Sequence, residues 1–240
     1  MIDRFWVVVI LFLVFSAFVI VIELAKFRKA QRRRKCVLEE LSQEMGFTFD
    51  HQDSTFAQRL PVMDVSLFRP VNNRDFYNIM SGHIDDVDVL CFDMAHRTGD
   101  GIESYVVMMC MIDGIVWPTF SLGYSCKTWA IFKKLGVDKK RIAFDEHPEF
   151  SNKILLESDS SEIVETIFNP HVREYVQDVF VPMHIHLQAF GSRLIAYQFD
   201  TSLSEENTDK ETYRGMILAI TGFVQLLAQT NRNLLKLTER

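Results

Sequence analysis

Eighteen consecutive residues, positions 5–22 (FWVVVILFLVFSAFVIVI), contain one hydroxyl and no charge. As a helix, such a run rises roughly 27 Å, about the hydrocarbon thickness of a bilayer. A helix that is apolar on every face must be buried on every face. A cleaved signal peptide carries its positive charge ahead of the apolar run and a small-x-small site behind it. Here only Arg4 precedes the run, and Glu23-Leu24-Ala25-Lys26 follows it. The sequence therefore predicts a short tail over residues 1–4 and an uncleaved transmembrane helix over residues 5–24.

The flanks set the expected orientation. Lys26, Arg28, Lys29, Arg32, Arg33, Arg34 and Lys35 crowd the far side of the run. Positive flanks stay in the cytoplasm, which predicts a single pass through the cell (inner) membrane with the N-terminus out. The same seven side chains are the expected membrane-surface contacts, each contributing about 1 kcal/mol against anionic headgroups. The run Arg32 to Lys35 also permits a nuclear-localisation or nucleic-acid reading. Charge distribution argues against it. Residues 1–35 carry eight basic and two acidic side chains, and the remainder eighteen and thirty. A basic collar thus joins an acidic body, and neutralising phosphates requires Lys and Arg. The partners expected are a bilayer with anionic headgroups and a protein, with no nucleic acid.

Helical spacing of Val37, Leu38, Leu41 and Met45, with Gly46 behind them, extends the anchor into a basic juxtamembrane helix over residues 25–46. The fold class expected for residues 47–240 is α+β, one cytoplasmic domain with a mainly antiparallel sheet and packed helices. Strands are predicted at Met63 to Leu67, Val87 to Phe92, Tyr105 to Ile112, Thr119 to Leu122, Arg141 to Phe144 and Lys153 to Leu156. Met183 to Ala189 alternates most regularly, and Gly191-Ser192 fits a two-residue turn into Leu194 to Phe199. Helices are predicted over Lys127 to Leu135, from Asp159, from Pro170, and from a capping box at Thr208. The last would bury Tyr213, Met216, Ile217, Ile220, Phe223, Val224 and Leu227. Thr201 to Asn207 has linker character, and Met216 to Ala228 is too short an apolar run to span a bilayer.

Few residues suggest chemistry. His184 and His186 would share one strand face and, with His147 from the acidic loop Asp145-Glu146-His147-Pro148-Glu149, form a candidate metal set. The alternation equally explains that pair as a solvated face. The loop carboxylates could serve acid–base work or be surface charge. Cys126, next to Lys127, is the thiol most exposed to pKa lowering. The remaining cysteines, Cys36, Cys91 and Cys110, read as free thiols, those in the strands as core. Asp93 and His96, with Arg97, form a charged cluster open to two readings, a catalytic dyad or a strand end reaching water. There is no P-loop, dinucleotide fingerprint or nucleophile elbow. No catalytic or cofactor-binding residue is assigned.

Phe92-Asp93 in a strand before a Gly-rich turn, and Pro148-Glu149-Phe150-Ser151 before another strand, resemble a group of uncharacterised bacterial single-pass membrane proteins. That resemblance implies an N-terminal anchor helix, an Arg-rich flank and a cytoplasmic α+β domain, and it implies no activity. The leading expectation is a non-enzymatic interaction or accessory domain tethered to the cytoplasmic membrane. The alternative is a membrane-bound hydrolase or metal-dependent enzyme using the His184/His186 face and the Asp145–Glu149 loop.

Overall fold

Helix α1 runs without a break from Arg4 to Met45, a stretch containing neither Gly nor Pro. The computed structural model describes residues 4–53, 55, 56, 60, 74–98, 101–124, 140–199 and 210–238. Gly46, at φ +70°, ends the helix as expected. Its N–H donates to Gln43 O (3.2 Å) and that of Phe47 to Ser42 O (2.7 Å), the paired bonds of a Schellman cap. Among the described residues no helix is long and apolar enough to cross a membrane. Within the run 5–22, the side chains at positions 5–8, 10 and 20 lie outside the described set.

The domain is α+β around one antiparallel sheet. The described strands are β1 (Thr48–Asp50), β2 (Arg74–Ile84), β3 (Val87–Thr98), β4 (Gly101–Ile112), β5 (Trp117–Tyr124), β6 (Lys140–Ile142), β7 (Ile154–Ser158), β8 (His186–Gly191) and β9 (Arg193–Phe199). They lie in the order β1-β2-β3-β4-β9-β8-β5-β7-β6. Tight connections build the local pairs: Asp85, at φ +52°, turns β2 into β3, and Gly191 turns β8 into β9. β4 lies between β3 and β9, and from Tyr105 to Cys110 every residue is buried, as its unbroken apolar run predicts.

Helices cover one face. They are α2 (Pro148–Lys153), α3 (Ser161–Ile167), α4 (Pro170–Tyr175) and α5 (Lys210–Thr238). All seven residues predicted for the buried side of α5 are buried. They pack with Leu38 and Leu41 of α1 against Val89, Cys91, Val106 and Met108 of the sheet. The opposite face carries a second cluster, where Phe56, Phe76 and Phe92 meet edge to face at 5.1–5.7 Å.

Three local expectations change. β2 is a full strand that the pattern did not reveal. The acidic loop carries α2, with Pro148 in its first turn. α4 continues through a π-helical stretch (Val176–Phe180) and a turn (Val181–Met183), so the strand expected from Met183 starts at His186. The expected strand Met63 to Leu67, the helix Lys127 to Leu135, Cys126, the linker Thr201 to Asn207 and the cap at Thr208 lie outside the described residues.

Candidate functional site

The lower half of α1 is built into the domain. Ala30, Arg34, Leu38 and Leu41, spaced by four, four and three, share its buried side. Arg34 is only 6% exposed, which corrects its assignment as a lipid-surface contact. Its Nε donates to Asp93 Oδ2 at 2.8 Å and its Nη2 to Asp93 Oδ1 at 2.6 Å, a bidentate fork. Asn78 Nδ2 donates to Asp93 Oδ2 at 2.7 Å. Behind it, His51 Nδ1 and Asn78 Oδ1 are 2.8 Å apart, and the Asn78 N–H donates to His51 O at 2.9 Å. The Arg34 guanidinium carbon also stands 5.0 Å from the centre of the Tyr213 ring on α5.

Asp93 is therefore no strand end reaching water. Its side-chain parity, with Val89 and Cys91, points it at the helix-covered face, where Arg34 compensates its charge. Asn78 takes φ +53° where the β2–β3 register shifts between Tyr77 and Met80. That bulge aims the amide at the carboxylate, a use of irregular backbone that only Asn, Asp and Gly tolerate readily. His96, three residues along the strand, lies on the opposite face from Asp93, 3.8 Å from Glu103, and Arg97 pairs with Asp75 at 2.8 Å. The three expected partners are not brought together.

A second tie runs between α1 and α5. Lys210 Nζ reaches Glu40 Oε1 at 3.0 Å and Glu44 Oε1 at 2.7 Å, and Arg214 pairs with Glu44 and Glu211. Hydrogen bonding to Lys210 holds the Glu44 carboxyl below its ordinary range. The rest of the collar differs from Arg34. Arg28, Lys29, Arg32 and Arg33 are exposed and Lys35 is half-buried, and the Lys26 side chain is outside the described set.

The candidate metal set is divided among structural partners. His147 faces Glu149 at 3.3 Å, and Glu146 faces Arg173 at 3.6 Å. Arg173 is itself buried, donating to Phe168 O and lying 4.3 Å over the Phe144 ring. His184 caps the turn before β8 at φ +52° and stays exposed, its ring 5.6 Å from that of Tyr124. His186 is buried, stacked on Tyr197 at 5.2 Å and edge-on to Tyr124 at 5.2 Å. The solvated two-histidine face is thus corrected: the late start of β8 takes His184 out of the strand, and the parity of His186 turns it toward Tyr197. Burial, then the neighbouring His184, pushes the His186 pKa down to about 4, so the imidazole is neutral. Among the described residues no three His, Cys, Asp or Glu side chains gather where they could hold a metal ion. Cys91 and Cys110 are buried thiols as expected, the former pushed up to about 12, first by burial.

Sequence reasoning missed Arg34, Asn78 and His51 as a connected group. A signal was present: of the basic run 32–35, Arg34 is the member spaced by four from both Ala30 and Leu38, on the same helix face as the core residues. No protein family, no curated protein and no solved structure matches the chain.

Proposed function

We propose that this chain is a single-pass membrane protein whose α+β domain is carried on a stiff helical stalk at the cytoplasmic surface. In this role it holds a protein partner near the bilayer without transforming it. The observation that carries the reading is the contrast between the two halves of α1. Leu11, Phe12, Leu13, Val14 and Phe15 are each 60–67% exposed. Five consecutive helical residues sample every side of a helix, so water would meet apolar surface all round. By Ala30 the same helix is embedded in the domain. Eight helical steps lead from Ile22 to Ala30, roughly 12 Å, which sets the domain beside the headgroups.

The exposed Arg28 and Lys29 fall within this interval, the exposed Arg32 and Arg33 follow within one turn of it, and all four suit anionic lipid. They would keep the domain on the inner side, since moving them across is unfavourable. The bidentate Arg34–Asp93 pair supports a stalk rather than a loose tether, because it fixes the helix in one register on the sheet.

The test is photo-crosslinking in native membranes, comparing the full chain with one lacking residues 1–26. The expected result is a discrete partner adduct with the full chain that disappears from the shortened one. Equal adducts from both forms would contradict a role that depends on membrane placement.

A further inference from the structure

The register of α1 on the sheet fixes which end of the domain faces the apolar half of the stalk. Arg34 stands at Asp93, and the Phe47 ring, just past the helix end, lies where a Cβ on Gly82 would overlap it. Gly82 pairs with Val89 in the β2–β3 register. α1 therefore runs along β3 with its N-terminal end toward Thr98. From Asp93 to Val89 is about 13 Å of strand, and the eleven helical steps from Arg34 to Met45 make roughly 17 Å. About three quarters of the helix length is thus travel along the strand. On that basis the twelve steps back from Arg34 to Ile22 advance about 14 Å, or about four strand residues. The end of the apolar run comes level with Arg97, and α1 contains neither Gly nor Pro to bend it away.

The two ends of these strands differ in charge. Arg74, Asp75, Arg97 and Glu103, at the end level with Ile22, balance one another. At the other end stand Asp85, Asp86, Asp88 and Asp113, and the described residues of β2–β4 there include no Lys or Arg. Arg97 shares the helix-covered side of β3 with Asp93, and its side chain is 67% exposed. Its bond to Asp75 engages one nitrogen of a guanidinium that has five N–H donors.

We infer that the end of the sheet made by the start of β2, the end of β3 and the start of β4 rests in the lipid headgroup layer, with Arg97 donating to a phospholipid phosphate. Arginine suits phosphate because its N–H donors point outward in pairs. Charge fits this placement. A balanced end meets the anionic surface beside Arg28 and Lys29, while the four aspartates face away. Val87 and Arg97 are ten residues apart on β3, about 33 Å, which is several screening lengths. The inference rests on the membrane placement proposed above and names the surface of the domain that touches lipid.

The experiment places a photo-crosslinking residue at exposed position 28, 97 or 86 of the full chain, in nanodiscs of phosphatidylcholine and phosphatidylglycerol. Protein–lipid adducts are counted by mass spectrometry. The expected result is lipid adducts from 28 and 97, and at least tenfold fewer from 86. Adducts from 28 without 97, or equal yields from 97 and 86, would overturn the proposal and leave the stalk placement standing. Lipid adducts from none of the three would overturn both. With the crosslinker at exposed Glu103, Arg97→Glu should cut the lipid yield at least threefold, whereas Arg97→Lys should keep it. Equal yields from all three forms would overturn the part assigned to Arg97.

Discussion

Arg34 shows how much one side chain decides in this molecule. It belongs to a run of basic residues whose other exposed members suit lipid, yet its position on the helix turns it inward to Asp93. Truncating one member of a buried pair leaves the other charge uncompensated, which costs about 3–5 kcal/mol. Arg34→Ala and Asp93→Ala are each expected to destabilise the detergent-solubilised chain by that amount in denaturant unfolding. Arg34→Met with Asp93→Leu should lose less than either, because no orphan charge remains. His186 gives the pH dependence. Folded, it takes a proton only near pH 4, whereas unfolded it does so near its ordinary 6.5. Its contribution is therefore whole above pH 6.5, is lost as pH falls toward 4, and changes no further below that. At about 1.36 kcal/mol per pH unit the loss approaches roughly 3 kcal/mol. Unfolding midpoints at pH 7 and 4.5 should show the native chain losing more stability than His186→Gln, and equal losses would contradict a buried neutral imidazole.

At the scale of elements, legibility followed periodicity. The buried side of α5 and the unbroken run of β4 could be read because each pattern has one period throughout. β2 could not, since Asn78 shifts its register and Gly82 occupies a position where a Cβ would overlap the Phe47 ring. The start of β8 failed for another reason. Met183, Ile185, Leu187 and Ala189 alternate perfectly in sequence, but the helical turn Val181–Met183 that follows the π-helical stretch claims the first of them, and tertiary packing overrides the pattern. Of the candidate site, only the exposed basic residues of α1 could be picked out from the sequence. The inner network joins residues 34, 51, 78 and 93, and no spacing rule connects them. α1 ends at Met45, at the boundary expected between juxtamembrane helix and domain, but from Ala30 onward its buried side already packs into the domain. A chain starting at residue 27 keeps Ala30, Arg34, Leu38 and Leu41 and should fold as a monodisperse protein with a cooperative thermal transition. One starting at residue 47 takes the Arg34 charge away from buried Asp93 and uncovers Val89 and Cys91, and should show no such transition.

For the whole molecule, the strand order explains why architecture could be anticipated only as a class. β4 pairs with β9 and β5 with β8, contacts that close loops of about ninety and seventy residues. Local sequence specifies such pairings weakly, although it specifies that the strands are antiparallel and covered by helices. The result is a sheet clasped by both the first and last helices, so the stalk is an integral wall of the domain. The central claim is that the apolar half of this helix inserts in the bilayer while the domain it clasps stays on the inner side. The most direct measurement is protease digestion of carbonate-washed vesicles prepared in both orientations, with the domain followed by an antibody to its C-terminal helix. The account predicts a chain retained by the membrane and a domain cut in inverted vesicles but protected in right-side-out ones. A chain released by the wash, or a domain cut in right-side-out vesicles, would contradict it.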